Sequence, residues 1–337
     1  MTQNSPPRFP LLAYLPGIGG LVARLRPWLL LALVALLLGV AARPARAALC
    51  AAALPTPSAE LVAKAQQQTR NRGFLWRITK NGHASYLYGT LHVGKLEWMF
   101  PGAALLNALK ASDTVALELN VRDPLLMQQL QAGVAASTAA PLDADLETRL
   151  ERQAALNCVS LDSLHALRPE MQISALSVAA ARMIGLESSY GVEMVLASYA
   201  GQSDKKIESL ESVPEQLQSF LVSNGAEMRE LVASGLEDLE SGNTLQLLGT
   251  LSSVWASSDF QKLNNYEQWC NCLNTAEDRA ALKRLLDDRN PHLAQRLDQL
   301  HSDGKRVFAA VGALHMIGAM GLPERMRRLG YQVQRIF

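Results

Sequence analysis

The chain has 337 residues, 49% of them hydrophobic and 19% charged, which is enough to bury a sizeable core and excludes disorder along the whole length. Its 32 Lys and Arg stand against 31 Asp and Glu, a formal net charge of +1, so no electrostatic feature points to nucleic acid or to a strongly acidic partner. A partner has to be inferred from a site.

In chain order, Arg24 and Arg26 precede the apolar run WLLLALVALLLGVAA, and Ala45-Arg46-Ala47 then fits the small-x-small pattern of a signal-peptidase site. Residues 1–47 read as a long secretory signal, with an apolar core shorter than the roughly 20 residues that span a bilayer. The protein is therefore expected to be exported, periplasmic or secreted. The alternative is an uncleaved signal anchoring it in the inner membrane, which would then be its membrane contact. Export places Cys50, Cys158, Cys270 and Cys272 in an oxidising compartment where thiols pair. The pairing is not legible, but Cys270 and Cys272 lack the two-to-four-residue spacing of a zinc hook.

Residues 48–72 are rich in Ala, Pro and Gln and read as a linker leading into a short helix; residues 73–337 read as one domain. FLWRITK and ASYLYGTLHV flank Asn81-Gly82, a strong hairpin signal. Pro101 is expected to open a helix running to about Lys110, and DTVALELN to form a buried strand ending at Glu118. From about 124 to 300 helical periodicity dominates, clearest in EMQISALSVAAARMIGL, with KKIESLES as one interrupting strand before Pro214 starts a new helix. Strand returns at KRVFAAVGALH, followed by a helix at LPERMRRLG and a last strand at YQVQRIF. The fold class is α/β: a mostly parallel or mixed central sheet flanked by helices, with a large helical insert between its halves.

Three strands end on potential ligands: His92 after YLYGTL, Glu118 within VALELN, and His315 after FAAVGAL. In open α/β sheets the ligand site lies beyond the carboxyl ends of the strands, so these distant residues are expected to converge. Gly89 and Gly312 suit a sharp turn or close approach there. Two imidazoles and a carboxylate match the shell of a divalent transition metal with open positions for water and substrate, which makes hydrolysis of a peptide or ester feasible without a protein nucleophile. A single histidine at a strand end is ordinarily a satisfied turn residue; the repeated Gly-x-Leu-His ending is what sets this pair apart. Glu211 after KKIESL reads as a surface carboxylate, and His83, His165, His292 and His301 as solvated. No Gly-x-Ser-x-Gly elbow, His-Glu-x-x-His helix or phosphate loop is present.

Gly89-Thr90-Leu91-His92 and Gly312-Ala313-Leu314-His315, with ALELN between them, resemble the TraB/PrgY/GumN family, in its exported GumN-like branch. YGVEMVLASYA, IESLESVPEQLQSF and RNPHLAQRL extend the likeness from about Gly73 to Phe337. The resemblance implies kinship with the animal TIKI proteins, regarded as manganese- or cobalt-dependent proteases, and more distantly with erythromycin esterases and haem-binding ChaN-type lipoproteins. It implies His92 and His315 as ligands of a divalent metal (Mn, Co or Zn) or as catalytic histidines, with Glu118 as the third ligand or the base. Arg289 and Asn290, which match an Arg-Asn pair of the family, would support that shell or stabilise an oxyanion; the plain alternative for them is a helix-ending turn before Pro291. Where many relatives have Gly-x-Asp, this chain has Gly191-Val192-Glu193. The expected function is a metal-dependent, peptidase-like hydrolase of the cell envelope acting on a peptide or protein. A binding protein that sequesters a peptide, haem or small ligand in the same cleft is the alternative.

Overall fold

The structure, a computed structural model, describes residues 56–136 and 141–337; the expected signal segment and Cys50 lie outside them. Strands β1 (Phe74–Lys80) and β2 (His83–Thr90) form the hairpin, in register from Lys80↔His83 to Phe74↔Gly89. Asn81 and Gly82 take φ of 53 and 82, the pair of left-handed residues that a type I′ turn requires. Strands β3 (Thr114–Leu117), β4 (Lys206–Ser209), β5 (Val307–Gly312) and β6 (Gln332–Arg335) complete one sheet of order β4-β3-β5-β2-β1-β6. The first four run parallel, while β1 is antiparallel to both β2 and β6. The fold is thus α/β with a mixed sheet.

The burial pattern explains the order. All four residues of β3 and the first five of β5 are buried, as expected of parallel strands covered on both faces, whereas β6 exposes three of its four residues at an edge. Phe74, Leu75, Ile78, Leu87 and Phe308 are fully buried, each contributing about 1.5–3 kcal/mol relative to an exposed side chain.

The helical region lies between β3 and β5, interrupted by β4. Its centre is the helix Pro169–Ala181, which begins on proline and buries ten of its 13 residues; a helix apolar all round belongs inside. Helices Ala144–Leu156, Gly225–Ser241 and Asn243–Ser257 pack against it. After β4, Ser212 and Glu215 form a reciprocal capping box for the helix Val213–Phe220, which ends the strand sharply. The helix expected from Pro101 starts at Ala103 instead, because Pro101 is held extended by a bridge to Arg70 and Gly102 is the cap. Helix Val192–Gln202 packs on β3 and β4, and helix Asn290–Ser302 leads into β5.

Cys270 and Cys272 are joined by a disulfide, and Cys158 is also disulfide-bonded. Among the described residues no helix is long and apolar enough to cross a membrane.

One histidine departs from expectation at the turn end of the hairpin. His301 is fully buried, not solvated, because the end of helix Asn290–Ser302 lies beneath the turn. Its Nε2–H donates to the Lys80 carbonyl at 3.0 Å and its Nδ1 accepts the Ser85 hydroxyl at 2.8 Å, while Ser85 Oγ accepts the Val307 N–H at 3.0 Å. His83 stacks on it at 3.8 Å between ring centroids. Burial pushes the His301 imidazolium below its ordinary value.

Candidate functional site

Each of the four parallel strands delivers one polar group just past its carboxyl end. Thr90 pairs with Gly312, and Leu117 pairs with both Ala310 and Ser209, so the ends are level. His92 follows β2, Glu118 follows β3, Glu211 follows β4 and His315 follows β5 in a single turn of 3₁₀ helix, Ala313–Met316. Main-chain bonds extend the ladder past the strands: Leu210 N–H donates to Leu117 O at 2.8 Å and Glu211 N–H to Glu118 O at 3.0 Å. The two carboxylates therefore sit side by side. Glu211, expected at the surface, is buried.

Close backbone approach explains two of the glycines. A Cβ on Gly89 would lie 3.2 Å from Ala313 Cα, where the His315 turn crosses β2, and one on Gly191 would lie 2.5 Å from the His92 carbonyl oxygen. Side chains at these points would push the two histidine-bearing segments outward.

The centre of the buried cluster is Arg289, the residue that begins helix Asn290–Ser302. The Arg289-Asn290 turn before Pro291 is thus a helix start, and both residues are buried. All five guanidinium donors are used. Nε–H donates to Glu211 Oε1 at 2.9 Å, Nη2–H to Glu211 Oε2 at 2.5 Å and to Glu118 Oε2 at 2.6 Å, and Nη1–H to Leu285 O at 3.1 Å and to His315 Nε2 at 3.2 Å. With no donor left, Arg289 fixes the geometry of its neighbours and has none to offer an oxyanion.

The protonation states follow from these partners. Burial alone would push Glu118 up, but Arg289 beside it, with the Gly312 N–H donating to its Oε1 at 2.8 Å, holds its carboxyl well below the usual carboxylate range. Burial pushes Glu211 up, against the pull of the same guanidinium and reinforced by the charge of Glu118. Burial would also lower Arg289, but the two carboxylates hold it charged. His315 Nδ1–H donates to Asn290 Oδ1 at 2.7 Å, which leaves Nε2 to accept from Arg289; burial pushes its imidazolium down to about 3. His315 is a neutral, locked imidazole.

His92 stands apart from this cluster. Its Nδ1 lies 3.2 Å from Glu193 Oε1, the Glu193 side chain being 6% exposed and that of His92 52%. Glu193, in the first turn of helix Val192–Gln202, also accepts the Thr90 hydroxyl. A carboxylate partner fixes the proton on Nδ1 and leaves Nε2 as the acceptor, without a hydrogen-bond partner among the described residues. Glu193 raises the His92 imidazolium above its ordinary value, against the lowering that burial brings. Half of the ring is open to water, so screening limits the rise.

The residues as arranged do not fit a divalent metal. The His315 Nε2 lone pair that an ion would need already accepts from a permanently charged guanidinium, and Arg289 takes the cation's place between Glu118, Glu211 and His315. His92 is turned to Glu193 and bonds none of them. Among the described residues no group of three or more His, Cys, Asp or Glu is placed to hold an ion. Glu118, Arg289, Asn290 and His315 are thus brought together in direct bonds, whereas His92 bonds Glu193 and none of them, acting on Glu118 and Arg289 only through their charges.

Residues 74–335 match the TraB/PrgY/gumN family. The chain is similar to the "Uncharacterized protein YbaP" of Shigella flexneri, at 27% identity over 257 residues, covering 72% of this chain and 88% of that protein. No solved structure matches it.

Proposed function

The chain belongs to the TraB/PrgY/gumN family, and from that premise we propose that it is a hydrolase of peptide-like acyl bonds in which His92, held by Glu193, activates water. The observation that carries this reading is the His92–Glu193 pair itself: a half-exposed imidazole whose Nδ1 faces a buried carboxylate at 3.2 Å. Above the raised midpoint of this pair, where the His92 ring is neutral, Nε2 takes a proton from water as the oxygen attacks the carbonyl carbon. Glu193 stabilises the imidazolium so formed, and the same proton then passes to the leaving amine as the carbon–nitrogen bond breaks. The Arg289 cluster holds the neighbouring strand ends rigid around this step.

An exported setting is part of the proposal. It is supported by the leader-like sequence of residues 1–47 and by the Cys270–Cys272 disulfide, a bond of oxidising compartments.

The test is hydrolysis of a peptide library by the purified protein, followed by mass spectrometry, with and without a chelator. Cleavage that survives chelation and disappears in His92→Ala supports the reading. Cleavage retained by His92→Ala overturns it, as does cleavage lost to chelation and restored by Mn, Co or Zn. A stoichiometric organic ligand carried through purification, with no cleavage, would replace it by the binding-protein reading.

A further inference from the structure

Cys270 and Cys272 form a disulfide that the hydrolytic step does not use. They lie in the turn between helices Tyr266–Trp269 and Ala276–Leu285, so the bond ties a turn to itself and joins no separate elements. A disulfide stabilises a fold chiefly by closing loops of the unfolded chain, and a bond between residues two apart has the least loop to close. A structural role therefore explains little of its presence. Asn271, inside the ring, takes φ of 49, a left-handed conformation that costs free energy even for Asn, which tolerates it well among residues with a side chain. Opening the ring frees that residue.

The two sulfurs are not equivalent. Cys270 is 6% exposed, whereas Cys272 is half-buried and offers the sulfur that a thiolate reaches first. The Cys272 N–H donates to Cys270 Sγ at 3.2 Å, and the Tyr266 hydroxyl donates to Cys272 Sγ at 3.3 Å, since a disulfide sulfur has no proton to give. Arg279 Nη1–H donates to the Leu273 carbonyl, which holds a guanidinium beside Cys272. Donors and a nearby cation lower the pKa of a thiol, and a lower pKa makes a better leaving group. We infer that Cys270 and Cys272 form a thiol–disulfide exchange site that oxidises a dithiol of a peptide or protein. In the first step a substrate thiolate bonds to Cys272 Sγ, the Cys270–Cys272 bond breaks, and its electron pair leaves on Cys270, which accepts the Cys272 N–H. The second substrate thiolate then attacks the substrate sulfur of this mixed disulfide, and Cys272 leaves as a thiolate that accepts the Tyr266 hydroxyl. The substrate gives up two electrons and two protons, and the pair takes them up as two thiols. A low-molecular-weight disulfide such as oxidised glutathione restores the pair by the same exchanges in reverse. The short tether selects a dithiol. Cys270 stays two residues from the mixed disulfide and expels a monothiol by reclosing the ring, a reversal that only a second thiol on the substrate outpaces.

The probes are a reduced peptide carrying Cys-Gly-Gly-Cys and reduced glutathione, added to the purified protein and followed by timed alkylation and mass spectrometry. The peptide is expected to reduce Cys270–Cys272 in the folded protein at least about tenfold faster than the disulfide of Cys158, which is itself half-buried. It should also act faster than glutathione at equal thiol concentration. With oxidised glutathione, Cys270→Ser should collect the adduct on Cys272 about tenfold faster than Cys272→Ser collects it on Cys270. The double serine variant should unfold at the same urea concentration as the parent. Equal reduction rates for the two disulfides, reduction only in denaturing urea, or glutathione matching the peptide overturns the site. Equal labelling of the two single variants does the same. A lower urea midpoint in the double variant returns the bond to a structural role.

Discussion

Replacing Arg289 by Met is the sharpest probe of the site, because one guanidinium satisfies two buried carboxylates. The side chains of Glu118 and Glu211 are 6% and 1% exposed, and they lose contacts of 2.6, 2.5 and 2.9 Å. Removing one partner of a buried ion pair costs about 3–5 kcal/mol. The orphaned carboxyls limit that loss by taking up protons. At pH 7 this costs each about 2.5 pH units above the ordinary 4.5, or roughly 3.4 kcal/mol at about 1.36 kcal/mol per unit. In the variant the folded state then binds more protons than the unfolded one, so its stability rises as pH falls from 7.5 towards 4.5. Urea unfolding followed by circular dichroism at pH 7.5 and 5.5 measures both effects. The expected loss relative to the parent is about 3–5 kcal/mol at pH 7.5, shrinking at pH 5.5 by about 1.4 kcal/mol per pH unit for each carboxyl that takes a proton. Adding Glu211→Gln to Arg289→Met should recover part of the loss. A loss below about 1 kcal/mol, or one that does not change with pH, would refute the cluster as drawn.

Three further outcomes follow from the same geometry. A titration of the His92 ring by NMR should have its midpoint above the ordinary 6.5, and Glu193→Gln should move it downward; an unmoved midpoint would show that the two residues do not interact. Asn290→Ala leaves the His315 Nδ1–H buried and unpaired, so it should cost about 1–3 kcal/mol in urea unfolding, and ring nitrogen shifts should show a mixture of tautomers where the parent has one. Folded His301 is held below its ordinary 6.5, so the unfolded chain binds the extra proton and this residue's contribution to stability is lost as pH falls below 6.5. His301→Gln should flatten that part of the stability profile, and a profile of the same slope in the variant would count against a neutral His301.

Much of the fold was legible because its signals are local. Asn81-Gly82 between two apolar runs encodes a type I′ turn, and the unbroken apolar run VFAAV encodes a strand buried on both faces. Pro214 marks a helix start, which the Ser212–Glu215 capping box sets at Val213. The site was legible in part: His92, Glu118 and His315 are strand-terminal polar residues after apolar strands, and all three stand at the carboxyl edge of the sheet. Glu211 has the same placement after β4, but a carboxylate before a helix-starting serine and proline looks like a surface residue. Only the β3–β4 ladder, which sets it beside Glu118, buries it. His301 was missed for a similar reason, since the polar end of a helix looks solvated until the hairpin turn is laid over it.

The sequence by itself determined the periodicities, the turns and the residue types that each strand end presents, because those depend on neighbours a few positions apart. The tertiary structure decided which of those groups bond to one another. Three sequence-distant residues suggested a metal shell, yet a fourth, Arg289, arrives on a helix from elsewhere in the chain and uses its five donors among them. In a buried space a fixed cation and its hydrogen bonds decide which lone pairs remain available, and sequence spacing carries no information about that.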